Sequence, residues 1–68
     1  MKLKINGEVN EFDNELKTIS DLFTELEIKS PERVAVEINK EIIMQSDFGS
    51  TAVKDDDSIE IVSFVGGG

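Results

Sequence analysis

Asn6-Gly7 narrows the choice of fold more than any other pair of residues in the chain. Both central positions of a tight hairpin turn need positive φ, and Asn-Gly adopts it readily. Before the turn, Met1, Leu3 and Ile5 alternate with Lys2 and Lys4, the period of a half-buried strand. Glu8 to Phe12 can then return as a second strand. Val9 and Phe12 are out of phase by one residue, so a bulge or frayed end near Phe12 is expected.

Thr18-Ile19-Ser20-Asp21 has the form of a capping box, with Asp in place of the usual Glu. Ile19, Leu22, Phe23 and Leu26 follow at helical spacing and form one apolar stripe. Asp21, Glu25 and Glu27 lie off it. The helix should stop by Lys29, because Pro31 disfavours helix at Ser30. Val34, Val36 and Ile38 alternate with Ala35 and Glu37 as a third strand. Asn39-Lys40 is a tight turn into a short fourth strand, Glu41 to Met44. Gln45 to Ser50 is a loop that Phe48 should anchor. Lys54 to Ser58 is a charged turn, and Ser58 to Val65 is the last strand.

Strands with one amphipathic helix among them predict an α+β domain, the helix packed on one sheet face. The expected core is Leu3, Ile5, Ile19, Leu22, Phe23, Leu26, Val34, Val36, Ile38, Ile59 and Ile61. The expected organisation is a domain over residues 1–65 and a flexible glycine tail over residues 66–68.

A domain of 68 residues has little room for an enclosed active site beside its core. The chain has no cysteine and no histidine. This excludes disulfides, cysteine-ligated metals and the commonest nucleophile and acid–base groups. Asp55-Asp56-Asp57 lacks further ligands at calcium-loop spacing and reads as a solvated turn. No metal site is expected. The net charge of −8 disfavours nucleic acid and anionic membranes as partners and suits a basic protein. No stretch has the length and apolarity of a signal peptide or membrane span, so the cytoplasm is the expected location.

Four segments carry a resemblance that spans the whole chain: Met1-Lys2-Leu3-Lys4-Ile5-Asn6-Gly7, Val34-Ala35-Val36-Glu37-Ile38-Asn39, Asp55-Asp56-Asp57, and Ile59 to Gly68 with its terminal glycines. Together they resemble the ThiS-type sulfur carriers of thiamin biosynthesis. Two features depart from that pattern. Asp56 stands where glycine is usual, and Gly66 adds a third glycine before the diglycine.

The resemblance implies a ubiquitin-like β-grasp fold with a mixed sheet of four to five strands. It also implies that the chain is no enzyme but a co-substrate. A ubiquitin-activating-type (ThiF-like) adenylyltransferase would use MgATP to adenylate the carboxylate of Gly68. A sulfur donor such as a cysteine desulfurase would convert the adenylate to a thiocarboxylate. A thiazole-forming (ThiG-like) enzyme would accept the sulfur. No cofactor would be bound by the carrier itself. The related molybdopterin-type carriers, a conjugating modifier and a β-grasp interaction domain with an inert tail are the competing functions.

This chemistry agrees with the residues. A carboxylate resists nucleophilic attack until it is made an anhydride with a good leaving group, and a partner must stabilise the charge on the phosphate. Gly66 and Gly67 lack Cβ atoms and can thread a narrow partner channel; three glycines reach at most about 10 Å. An acyl-bound sulfur needs no cysteine. In the last strand Ile59 and Ile61 face one way, and Glu60, Val62 and Phe64 the other. The resemblance marks Val62 and Phe64 as partner-docking residues; the competing reading folds Phe64 over the sheet edge as core.

Overall fold

The computed structural model describes residues 1–13 and 15–64. Val65 and the expected tail, Gly66 to Gly68, lie outside them. Five strands and one helix run in the order β1 (Lys2–Ile5), β2 (Glu8–Glu11), α1 (Ile19–Glu25), β3 (Val34–Ile38), β4 (Glu41–Ile43) and β5 (Ser58–Ser63). Single turns of 3-10 helix, Pro31–Arg33 and Gln45–Asp47, sit before β3 and after β4. The sheet order is β2-β1-β5-β3-β4. β1 and β5 are parallel and the other pairs antiparallel, so the sheet is mixed.

Both hairpins turn as their sequences require. Asn6 and Gly7 have φ of 51° and 87°, and Asn39 and Lys40 have 51° and 73°. Positive φ at both central positions gives the twist that lets strands continue in register. Ile5 pairs with Glu8 and Ile38 with Glu41, leaving two residues in each turn. Of the bulge or frayed end expected near Phe12, no bulge forms; β2 instead ends at Glu11, with Phe12 just beyond it. The β1–β2 register runs unbroken from Ile5↔Glu8 to Lys2↔Glu11. Phe12 then donates its N–H to the Met1 carbonyl at 2.8 Å and packs against the core. Val9 is the residue out of phase, and it faces outward at 66% exposure.

The capping box forms as expected. Thr18 Oγ1 accepts the Asp21 N–H, and Asp21 Oδ2 accepts the N–H groups of Lys17 and Thr18. Those two backbone donors, Lys17 first, hold the Asp21 carboxyl below its usual pKa. This clasp is complete above the ordinary carboxylate range and is lost as pH falls through the lowered value. The 45–53 loop supplies the remaining partners. The Ile19 and Ser20 N–H groups donate to the carbonyls of Thr51 and Phe48. Donors that a helix start leaves open are thereby used.

The helix ends earlier than Pro31 alone would require. Leu26 is the C-cap, and Glu27 takes a left-handed conformation with φ 57°. The Ile28 N–H reaches the Phe23 carbonyl, and the Glu27 N–H the Thr24 carbonyl. This is the paired bonding of a Schellman stop, a place that glycine usually fills.

The core lies between α1 and the inner sheet face. Leu3, Ile19, Leu22, Ile59 and Val36 are its most deeply buried side chains. Removing each larger aliphatic from water contributes about 1.5–3 kcal/mol. Phe48 anchors its loop as expected, with its ring edge-on to Phe23 at a centroid distance of 5.2 Å. Ile5, Leu26 and Ile61, expected in the core, are only partly buried around it, whereas Leu16 and Val53 are fully part of it. β4 ends at Ile43, one residue short of the expected Met44, which is exposed.

The acidic turn ties β1 to β5. Asp55 Oδ1 accepts the Lys2 N–H at 2.6 Å, and Asp57 Oδ2 accepts the Lys54 N–H at 2.8 Å. Asp56 has φ 71°, which explains why glycine suits this place. Among the described residues no group of three or more His, Cys, Asp or Glu could hold a metal ion.

Glu27 gives a test of the helix stop. A left-handed L-residue costs about 1–2 kcal/mol. Glycine there forfeits about 0.5–1 kcal/mol in chain entropy. Replacing an acid at the negative end of the helix adds a little in the same direction. Glu27→Gly should therefore raise the thermal midpoint by about 2–8 °C, read by circular dichroism; a lower midpoint would contradict the strain.

Candidate functional site

The chain leaves its described fold at the end of β5, and the surroundings of that end form the site. β5 pairs with β3 along its length, from Ile59↔Ile38 to Ser63↔Val34. On its other side the ladder with β1 covers only Ser58 and Ile59, because β1 turns away at Asn6. The Asn6 side chain takes over from there. Its Oδ1 accepts the Ile61 N–H at 2.7 Å, and its Nδ2 donates to the Ile61 carbonyl at 3.1 Å. The carboxamide thus copies the donor–acceptor pair of a neighbouring strand. Asn39, in the equivalent turn, holds the start of β5. Its N–H donates to the Ser58 carbonyl, its Oδ1 accepts the Ser58 N–H, and its Nδ2 reaches Asp57 Oδ1. The last fastening among the described residues is the Phe64 N–H to the Arg33 carbonyl, 2.7 Å.

Val62 and Phe64 are exposed, at 58% and 59%, so Phe64 is not folded in as core. They occupy different surroundings. Val62 stands on the outer sheet face opposite Ala35, and with Glu37, Ile42 and Glu60 it lines a shallow apolar depression. Phe64, past the end of β5, borders a separate groove with Ile28, Arg33 and Val34. Ile42, at 72% exposure, belongs beside Val62 and was missing from the expected docking residues. Its cross-strand pairing with Glu37, which itself faces Glu60, puts it on that face. Gly66, Gly67 and Gly68 lie outside the described residues. No helix is long and apolar enough to cross a membrane among those residues.

A mixed five-stranded sheet wrapped on one helix, with its last strand in the middle, defines the ubiquitin-like β-grasp class. Within it the chain belongs to the ThiS family, whose model matches residues 3–68. The crystal structure of the thiamine biosynthesis protein ThiS from Geobacter metallireducens superposes with a TM-score of 0.84 at 36% identity, covering 100% of both chains. The sulfur carrier protein ThiS of Bacillus subtilis is 39% identical over 66 residues, 97% of this chain and 98% of that protein. A thiazole synthase of Paramagnetospirillum magneticum is 47% identical over all 68 residues. The chain spans only 20% of that protein's length, and the same share of a similar thiazole synthase from Magnetococcus marinus.

Asn6 is the residue to change at this site. Asn6→Gly keeps the positive φ of the turn and removes only the carboxamide. Losing two net hydrogen bonds should cost about 1–2 kcal/mol. Hydrogen exchange should speed up at the Ile61 amide before it does at Leu22, and equal protection of Ile61 in both proteins would show that the carboxamide holds nothing.

Proposed function

We propose that this chain is a sulfur carrier whose Gly68 carboxylate is the working group. The observation that carries the reading is the match to the Bacillus subtilis carrier over nearly the whole of both chains. In the proposed route the carboxylate oxygen attacks the α-phosphorus of MgATP in a ThiF-like adenylyltransferase and pyrophosphate leaves. A sulfur nucleophile at the oxidation level of sulfide then adds to the acyl carbon; where a cysteine desulfurase is the donor, a thiol first reduces its persulfide to that level and is itself oxidised to a disulfide. AMP departs with one former carboxylate oxygen, and a thiocarboxylate remains. The thiazole synthases that contain a counterpart of this chain support a ThiG-like enzyme as acceptor.

The chain's own contribution is presentation. β5 is fastened by β3, Asn6 and Asn39 as far as Phe64, which gives the residues beyond it a fixed origin. Residues 66–68, proposed as a tail distinct from the domain, would carry the carboxylate from that origin into the partner's channel. Val62 and Phe64 would dock the partner beside it. Activation, charge neutralisation and exclusion of water fall to the partner.

Incubation with the adenylyltransferase, MgATP and a sulfur donor should replace one oxygen by sulfur. Intact-mass measurement should register a single exchange, and peptide mapping should place it at Gly68. A ladder of isopeptide-linked products would support a conjugating modifier instead, and an unchanged mass with a competent partner would end the carrier reading.

Docking has its own test. Val62→Glu and Phe64→Glu alter exposed positions, where stability changes stay within about 0.5 kcal/mol. Each should weaken adenylyltransferase binding about tenfold or more, about 1.4 kcal/mol. A variant that melts early yet binds normally once folded would return the residue to a structural role.

A further inference from the structure

The open face of the sheet carries an arrangement that the fold does not need. Ile42, Glu37 and Glu60 stand in one row across β4, β3 and β5, in register. The two glutamates are directly opposite each other, which places their Cβ atoms about 4.5–5.5 Å apart. Like charges at such a pair destabilise a sheet. Glu60 is exposed and Glu37 half-buried. Around them lie Ala35, Ile42 and Val62, an apolar surface facing away from α1. Exposed Ile42 and Val62 contribute nothing to the core, and the glutamate pair works against the sheet that holds it.

We propose that this face docks a partner that lays an aliphatic side chain over Val62 and Ile42 and sets an arginine between Glu37 and Glu60. The inference rests on the sulfur-carrier reading for the partner, the adenylyltransferase, and adds the chemistry of the contact. Arginine is the fitting cation, because its planar guanidinium offers several donors at once and can bridge two carboxylates. In the free chain, water and salt screen the two charges. Once a partner covers the face, that screening is lost, and an unneutralised pair becomes costly. A partner carrying the arginine is drawn in by the chain's net charge of −8, and one lacking it is turned away.

Glu37→Gln/Glu60→Gln keeps shape and removes charge. Its affinity for the adenylyltransferase is measured by calorimetry over a range of salt, without ATP or sulfur donor. The doubly substituted chain should melt higher than the parent yet bind at least about tenfold more weakly at low salt. Its affinity should also depend less on salt, so that the two proteins converge at high salt. Equal affinity with an equal salt dependence overturns the proposal. So does a lower melting point, which would make the glutamates supports of the fold. So does a parent that fails to bind at all. A chain lacking Gly68 separates this from the carrier chemistry: its binding should keep the parent's dependence on salt and on Glu37→Gln/Glu60→Gln, while it shows no oxygen-to-sulfur exchange. Salt-sensitive binding by a parent that never acquires sulfur would sink the carrier reading and leave the docking face standing.

Discussion

β5 comes last in the chain yet lies between β1 and β3, and the sheet joins its two hairpins only through it. Every other feature has to accommodate that insertion. Its partners are 19 or more residues away at Asn39 and as far as 55 away at Asn6. Pairings of such long range close large loops before they return any contact energy. They need strong fastening, and the inner face provides part of it: Ile59 is fully buried against Leu3 and the helix stripe. The two hairpin turns provide the rest. Asn6 and Asn39 both occupy the first position of a positive-φ turn and both spend their side chains on the backbone of β5. Glycine could make the same turns, but only a carboxamide can also serve as a ladder partner. Asparagine is thus the residue that satisfies both demands.

The two faces of the sheet divide the work. The inner one holds all the deeply buried aliphatics, and polar groups there are confined to the backbone and its caps; no buried side-chain nitrogen or oxygen lacks a partner among the described residues. The outer one keeps Val9, Ile42 and Val62 in solvent beside glutamates and lysines. A small domain cannot support a cavity and a core at once. It can support a face, because a face takes no volume from the interior. That is the physical sense in which such a fold suits a molecule acted on by larger partners.

The turns were legible because their chemistry is local. Asn6-Gly7, Asn39-Lys40 and the Thr18–Asp21 box each depend on residues within three positions, and each forms as the residues dictate. The helix stripe and the alternation in β3 were legible for the same reason. Leu16 and Val53 were not. They belong to no periodic run, and their burial comes from the bridge that brings Thr18 beside Ala52. Glu27 was hidden too, since an acid is a poor sign of a left-handed stop; only the bonds from Glu27 and Ile28 reveal it. At the site, the exposure of Val62 followed from strand parity, whereas the place of Ile42 needed the β3–β4 register.

Register also decides what the exposed residues mean. Singly exposed apolar side chains are common and carry no message. Val9, on β2, is as exposed as Val62, but β1 separates its strand from β5. Ile42 and Val62 differ because β3 sets them on either side of Glu37, so that apolar surface and negative charge fall within the span of one partner side chain or two. A substitution that shifted β4 by one residue so that Glu41 met Glu37 would turn Ile42 inward and Glu41 outward, keeping the composition and losing the arrangement. The turn at Asn39-Lys40 therefore governs more than the hairpin it closes. By fixing Ile38 opposite Glu41, it decides which side chain of β4 meets Glu37. The same turn holds Ser58 and so fixes where β5 begins. One two-residue turn thus sets the position of the open face and of the strand that leads to Gly68.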